Sequence, residues 1–302
     1  MRSTKALARM PDVAPRTALV FGASGQIGAA LLARLAGGGW QVLAVSRTPR
    51  APSVGVTWLK GEFGNIEGLP AAVDAIFSAG PLDAFSRWYT QGSVGTSRVV
   101  AFGSTSLDTK QASGDAHERD IVARLQAAEH AVFETASARG AAATLLRPTL
   151  VYGAGRDQTL ARIAAMARRT GFFVLPRGAT GRRQPVHVDD LAHAAMAVVD
   201  ATASHGRAYA LPGGETLAYR DMVARTLAGL SPPARLWELP MPLFRTLLGV
   251  ARAAGAMRGL SDDAVARMRE DLVFDAAPAC RDFGYAPRAF VVDARALGEN
   301  GR

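Results

Sequence analysis

Between residues 17 and 147, short apolar runs alternate with stretches in which apolar residues recur every three or four positions. The runs at 17–21 (TALVF), 41–46 (QVLAVS), 56–59, 74–78, 98–102 and 143–147 have the length of buried strands and are too short for helices. The stretch 26–35 has helical spacing, and the glycines at 37–39 can end it because glycine adopts left-handed backbone freely. Strand, tight turn, helix and strand make a βαβ unit. A second long helical pattern covers 117–138. This alternation predicts an α/β fold with a parallel sheet covered on both faces.

Beyond Pro148 the pattern loosens. Helices are expected at 159–170, 188–202, 219–230, 242–256 and 262–269, with short strands near Phe172, Gln184, Arg207 and Leu236. The expected organisation is a flexible tail at 1–16, a core at 17–150, and a mainly substrate-binding subdomain at 151–302 with elements that return to the sheet. No internal repeat interrupts this reading.

Composition narrows the picture. Of the 302 residues, 49% are hydrophobic, enough for a sizeable core, and the single cysteine, Cys280, cannot form an intrachain disulfide. Arg2, Lys5, Arg9 and Arg16 near the start are not followed by the apolar core of a signal peptide, and no run has the roughly 20 apolar residues of a membrane span. A soluble, cytoplasmic protein is expected, without nucleic acid as a partner. The charge of +9 comes mostly from scattered arginines rather than basic blocks interleaved with aromatics, which favours local phosphate binding. The stretch 239–257 reads as a core or dimer helix, with attachment to a membrane surface as the alternative.

Chemistry is first legible at Gly22-Ala23-Ser24-Gly25-Gln26-Ile27-Gly28, a GxxGxxG turn directly after a strand and directly before a helix. The first glycine permits the sharp turn, the second brings backbone N–H groups to a pyrophosphate, and the third lets helix and strand pack closely. This context predicts a Rossmann-type, doubly wound domain that binds a nicotinamide dinucleotide. A carboxylate at the end of the second strand would hold the ribose hydroxyls of NAD. The chain has Ser46-Arg47-Thr48 there, with Arg50 nearby, so NADP is expected over NAD through charge-assisted bonds to the 2′-phosphate.

With these pieces in place the chain resembles the short-chain dehydrogenase/reductase superfamily, in its extended or atypical NAD-dependent epimerase/dehydratase-like branch. Besides GASGQIG, the resemblance rests on VVAFGSTS (99–106), LRPTLVYGAG (146–155), QPVHVDDLA (184–192), RAYALPGG (207–214) and the late EDLVFD and DFGYAPRAF. It implies that Thr105, or next Ser104, polarises a reacting carbonyl. It also implies that Ser78, Ala79 and Gly80 run along the cofactor, and that Arg147 and Pro148 lie beside the nicotinamide.

The resemblance also implies a Tyr followed four residues later by Lys on the long helix, the Lys lowering the phenol pKa. Counted back from Glu129, those positions hold Ile121 and Leu125, and neither transfers a proton. Tyr89, Tyr152, Tyr209, Tyr219 and Tyr285 all lack a Lys four residues on. Lys110, Tyr89 and the Glu118-Arg119 pair are the substitutes to weigh. His187 is read as architectural, with Asp189 or Asp190 capping the following helix. No metal site is expected. Arg168, Arg169, Arg177, Arg182 and Arg183 could gather around a substrate diphosphate.

The expected activity is that of an NADP-dependent oxidoreductase or epimerase-like enzyme acting on a carbonyl or secondary alcohol of a small molecule, a nucleotide-sugar among the candidates. The alternative is a catalytically silent NADP-binding sensor or assembly protein. A monomer or homodimer is expected.

Overall fold

In the computed structural model, residues 14–109, 114–157, 159–253, 262–292 and 296–298 are described. The tail at 1–13 and Lys110 therefore lie outside the described residues. The apolar run at the start becomes β1 (Thr17–Phe21), and the glycine turn delivers it into α1 (Gln26–Gly37). The chain then forms β2 (Gln41–Ser46), β3 (Val56–Glu62), the short return strand β4 (Asn65–Ile66), β5 (Ala75–Ser78) and α2 (Leu82–Gln91). Next come β6 (Arg98–Phe102), the short α3 (Ser106–Thr109), the long α4 (Ala116–Ala138) and β7 (Ala142–Pro148). Asp115 caps α4 by accepting from the His117 amide at 2.8 Å, satisfying one donor of its first turn.

The remaining elements are β8 (Val151–Tyr152), α5 (Leu160–Thr170), β9 (Phe172–Pro176), β10 (Arg182–Arg183), β11 (Val186–His187), α6 (Val188–Asp200) and β12 (Arg207–Leu211). After them come β13 (Leu217–Ala218), α7 (Tyr219–Ala228), β14 (Arg235–Leu239), α8 (Met241–Ala253), α9 (Asp262–Ala266) and α10 (Ala277–Phe283). The strand expected near Gln184 resolves into β10 and β11 on either side of that residue. Gln184 is instead held by its own Oε1, which accepts from the Phe274 amide at 2.8 Å.

The main sheet has the order β12-β7-β6-β5-β1-β2-β3-β4, parallel throughout except for β4. It is a Rossmann-type doubly wound sheet. Chain order runs outward from β1 in one direction through β2 and β3, and in the other through β5, β6, β7 and β12. The reversal between β1 and β5 opens a crevice at their carboxyl ends, where ligands of such sheets bind. Strands buried on both faces explain the unbroken apolar runs: β6 is buried at every position. One face carries an apolar cluster with Leu31, Leu35, Leu191 and Val198 from α1 and α6, the other a cluster with Phe85, Tyr89, Val132 and Ala136 from α2 and α4. A third cluster, built from α5, α7, β9 and the tail around Phe290, stands apart from the sheet. Both α6 and β12 come from the second half of the chain, so that half is threaded back into the sheet.

Candidate active site and coenzyme cradle

Backbone geometry at the glycine turn has no room for side chains. Gly22 has φ +66°, and a Cβ there would stand 2.5 Å from the Ala79 carbonyl carbon and the Gly80 nitrogen. A Cβ on Gly28 would stand 2.1 Å from the Gly22 carbonyl oxygen. Both positions bring β1, α1 and the end of β5 into backbone contact at the crevice. Register supports this, since Phe21 pairs with Ser78. Two buried polar atoms beside this turn, Gln26 Oε1 and Ser78 Oγ, have no hydrogen-bond partner among the described residues, which is the condition of a surface shaped for a polar ligand. Arg156, which the sequence reading passed over, reaches back from beyond β8 and donates to the Ser24 carbonyl at 3.3 Å. Its guanidinium thus stands over the turn. The cradle fits a dinucleotide pyrophosphate.

Next to it lies a cavity of about 320 Å³ lined by Ser24, Ser46, Arg47, Glu62, Phe63 and Gly80, among others. Ser46 is buried, and its hydroxyl donates to the Thr48 carbonyl at 2.9 Å while accepting from the Thr48 amide. That turn leaves Arg47 exposed on the rim. Arg50 is drawn away, its guanidinium carbon lying 5.3 Å from the centroid of the Trp58 ring. Glu62 is a carboxylate of this cavity that was not anticipated, because β3 continues to residue 62 instead of ending at 59. Phe63 stacks on Phe21 with ring centroids 5.0 Å apart, forming an apolar wall suited to a flat base.

On the other side of the crevice, a cavity of about 260 Å³ opens at the ends of β6 and β7. Its lining includes Ser104, Thr105, Ser106, Thr149, Arg183 and Arg267, with Leu150, Leu272 and Phe274 as the apolar part. Thr105 is buried and its hydroxyl donates to the Pro148 carbonyl at 3.1 Å. Ser104 Oγ donates to Ser106 Oγ at 3.0 Å and accepts from the Ser106 amide, giving a two-hydroxyl chain at the cavity wall.

Arg147 ends β7 beside this cavity in a paired state. Its Nε donates to Glu129 Oε1 at 2.9 Å, its Nη2 to Glu129 Oε2, and Nη1 lies 3.7 Å from Asp108. The bond to Glu129 holds the guanidinium pKa above its ordinary value, so Arg147 is a fixed charge and not a proton donor. Gly103 makes room for the pair, since a Cβ there would lie 2.9 Å from Glu129 Oε1. Glu129 is the residue from which the absent Tyr and Lys were counted; only the fold reveals it as the anchor of Arg147. Ile121 and Leu125 occupy α4 with their side chains partly buried, and Leu125 packs against the apolar cluster under α2 and α4.

No other tyrosine takes over. Tyr89 sits at the end of α2, with Arg139 at 5.0 Å over its ring and a buried, unpartnered hydroxyl; the cavity it lines includes Gly95 and Thr96, at the amino end of β6. That is the opposite end of the strands from Thr105, too far for Tyr89 to serve there as a proton donor. Tyr209 donates to Asp282 at 2.6 Å and Tyr285 to the Pro212 carbonyl at 2.7 Å. Burial pushes the phenols of Tyr89, Tyr209, Tyr219 and Tyr285 up, Tyr209 to about 12, away from the neutral range an acid-base group needs. Tyr152 accepts from the Val291 amide at 3.3 Å and packs edge-on against His187.

The expected helix cap is corrected. His187 caps α6, its Nδ1 accepting from the Asp189 amide at 3.2 Å, while Asp190 takes Arg288 through Nε at 2.9 Å and Nη2 at 2.8 Å. The two carboxylates therefore hold the C-terminal segment. Glu118 is buried and pairs with Arg267 at 3.0 Å, joining the start of α4 to the 3₁₀ turn at Arg267–Arg269.

The five arginines of the sequence reading do not converge. Arg183 alone among them lines the cavity, and its guanidinium donates to the carbonyls of Arg182, Glu270 and Arg267 at 2.8, 2.7 and 2.5 Å. Arg182 pairs with exposed Asp271 at 2.8 Å, and Arg168 donates to the Leu297 carbonyl. Arg267, contributed by a segment more than eighty residues downstream, is the cationic wall that the sequence reading missed. No group of three or more His, Cys, Asp or Glu that could hold a metal occurs among the described residues, and no helix among them is long and apolar enough to cross a membrane.

Residues 122–211 match the model of the NAD dependent epimerase/dehydratase family. The chain is 27% identical over 319 residues to the 2-alkyl-3-oxoalkanoate reductase of Stenotrophomonas maltophilia, covering 90% of this chain and 95% of the relative. Among solved structures, an epimerase of Methanothermobacter thermautotrophicus superposes with a TM-score of 0.67 at 15% identity, covering 94% of this chain and 90% of the other. A UDP-glucuronic acid 4-epimerase of Bacillus cereus, solved with UDP-glucuronic acid and NAD, gives 0.65 at 12% identity, with coverages of 93% and 96%. These two structures share the fold with this chain.

Proposed function

We propose that this chain, which is similar to the NAD dependent epimerase/dehydratase family over residues 122–211, is an NADP(H)-dependent oxidoreductase interconverting a carbonyl and a secondary alcohol on a small, partly apolar substrate. The observation that carries this reading is the pairing of two cavities across the β1–β5 crevice. One is a pyrophosphate cradle with an arginine and no carboxylate at the end of β2, the other a hydroxyl-lined cavity at the ends of β6 and β7. When bound, the coenzyme supplies or accepts the hydride.

The chain's own residues do the rest. Gly22, Gly25 and Gly28 admit the pyrophosphate, with Arg156 above it. Arg47 would hold the 2′-phosphate, and Glu62 and Phe63 would line the adenine site. Thr105 and the Ser104–Ser106 hydroxyl chain hold the substrate oxygen, and water at that chain provides the proton that Ile121 cannot. The second cavity is smaller than the ~300–1,000 Å³ usual for ligand sites, and Arg183 is already committed to carbonyls, which favours a compact carbonyl compound over a nucleotide-sugar. Leu150, Leu272 and Phe274 suit an alkyl group, in keeping with the 2-alkyl-3-oxoalkanoate in the name of the Stenotrophomonas relative.

Calorimetry with purified protein is expected to show NADP bound more tightly than NAD. Arg47→Ala should weaken NADP by roughly 10- to 100-fold, the loss of one charge-assisted bond, and leave NAD nearly unchanged. Equal losses for both coenzymes would place Arg47 away from the phosphate. Turnover is expected on 2-alkyl-3-oxo acids and small ketones, with Thr105→Val lowering kcat by about a hundredfold. The apolar pair Ile121 and Leu125 supports a second reading, a coenzyme-binding sensor without turnover. Tight NADP binding with no hydride transfer across ketones, oxo acids and nucleotide-sugars would establish it over the first.

A further inference from the structure

We propose that the loop from Gly153 to Arg156 is an arm that closes the coenzyme cradle, that Arg156 binds the coenzyme's pyrophosphate, and that the C-terminal residues 296–298 set the arm's position. The inference rests on the coenzyme reading above and adds to it a role for the end of the chain. The first turn of α1 leaves an anion site open: it has no acidic residue, and its N-cap is Gly25, which has no side chain to occupy the amides. The Arg156 guanidinium reaches that turn with its charge unpaired. It is exposed, its one hydrogen bond among the described residues goes to the Ser24 carbonyl at 3.3 Å, and no carboxylate among them pairs with it. A guanidinium has five N–H donors, so most of them remain for phosphate oxygens.

The arm is fixed at both ends. At its start, Gly153 has φ +109°, and a Cβ there would stand 2.3 Å from His187 Nε2, so the imidazole that caps α6 packs directly against the loop backbone. At its end, the buried Asp157 carboxylate accepts from the amides of Thr159, Leu160 and Ala161 and anchors the loop to the start of α5. The last segment of the chain runs alongside. The Val291 amide donates to the Tyr152 hydroxyl at 3.3 Å, and the Gly155 amide to the Ala296 carbonyl at 3.0 Å.

The contact that sets the arm joins two glycines from distant parts of the chain. Gly155 has φ +63° and Gly298 φ +78°, conformations that other residues rarely take, and a Cβ on Gly155 would stand 2.3 Å from the Gly298 Cα. Backbone therefore lies on backbone immediately before Arg156. Ala296 and Leu297 are buried in the third apolar cluster, and Arg168 of α5 donates to the Leu297 carbonyl at 3.2 Å, so the segment has an anchorage of its own. A shift of this segment moves Gly155, and Arg156 with it. Hydrogen bonds weaken steeply over about 1 Å, so a small displacement is enough to draw the guanidinium off the phosphates.

The test is fluorescence titration of the full chain with NADPH and with NADH. Arg156→Gln is expected to weaken both by about tenfold, since the pyrophosphate is common to them, whereas Arg47→Ala discriminates between them. The deficit should shrink at high salt, as the contact of an exposed charge does, and Arg156→Lys should restore part of it. Gly298→Val places a β-branched residue at positive φ against Gly155; it should weaken both coenzymes by about fivefold, and cause no further loss when added to Arg156→Gln. Gly155→Ala, a smaller change on the other side of the same contact, should act alike and is read in its place should circular dichroism show Gly298→Val unfolded. Unchanged affinity in Arg156→Gln, a loss confined to NADPH, or a glycine-variant loss that adds in full to that of Arg156→Gln overturns the arm while the coenzyme reading stands. A wild-type chain that binds neither coenzyme overturns that reading and the arm with it.

Discussion

Replacing Arg98 with Met is expected to destabilise the protein by about 3–5 kcal/mol, lowering the midpoint of thermal unfolding by on the order of 10 °C. Arg98 opens β6 and is 4% exposed, yet no carboxylate among the described residues pairs with it. Its Nε donates to the Val199 carbonyl at 3.2 Å and Nη1 to the Ala142 carbonyl at 2.9 Å. Nη2 lies 2.6–2.7 Å from Thr144 Oγ1, the Val198 carbonyl and Ser204 Oγ. One guanidinium thus satisfies orphan carbonyls at the end of α6 and joins that helix to β6, β7 and the 3₁₀ turn at Thr202–Ser204. Burial pushes its pKa down to about 10, so it stays charged at neutral pH and the loss of its bonds strands buried acceptors. Arg98→Lys should recover only part of the loss, because an ammonium cannot span the forked acceptor set. Differential scanning calorimetry of the two variants checks both statements; an unfolding midpoint unchanged in Arg98→Met would show that the network contributes little.

The second large effect belongs to the cradle. Gly28→Ala is expected to weaken coenzyme binding by about a hundredfold or more. The new Cβ would lie 2.1 Å from the Gly22 oxygen and 2.8 Å from Ala23 Cα, both backbone atoms that no rotamer change can move aside. Relief requires α1 to shift away from β1, a strain of about 1–3 kcal/mol that also misaims the amides meeting the pyrophosphate. Gly25→Ala is the control. Its Cβ would approach only the Gly22 oxygen, at 3.1 Å, and Gly25 has ordinary φ −72°, so a loss of tenfold or less is expected. Fluorescence titration with NADPH separates the two, and comparable affinities for both variants would mean that the close approach at residue 28 does not shape the cradle.

Both effects start from residues whose roles become visible at different levels. Gly28 could be singled out from the spacing of three glycines between a strand and a helix, since that spacing encodes a local backbone path. Arg98 could not, because its acceptors lie in Ala142, Thr144, Val198, Val199 and Ser204, far along the chain. The same contrast runs through the candidate site. Thr105 and Ser104 were expected from the resemblance carried by VVAFGSTS, and both line one cavity. Arg267 and Glu118 stand 149 residues apart and had no local sign of their pairing. The five arginines looked like a cluster in sequence, but β10 and α5 point them at different partners, so linear proximity misled there.

Period and punctuation in the sequence therefore determined the order and type of elements, the doubly wound sheet and the dinucleotide turn, because these follow from side-chain periodicity and from backbone angles that only certain residues adopt. The missing proton-transfer pair was equally plain, since Ile121 and Leu125 carry no titratable group wherever the helix lies. Only the tertiary structure decided which charges meet. It put Glu129 on Arg147, withdrew Arg50 to Trp58, brought Glu62 to the cavity beside the glycine turn and carried Tyr89 toward the amino end of the strands. Pairing energies depend on distances of a few ångströms between groups remote in sequence, and those distances exist only after the strands have chosen their neighbours.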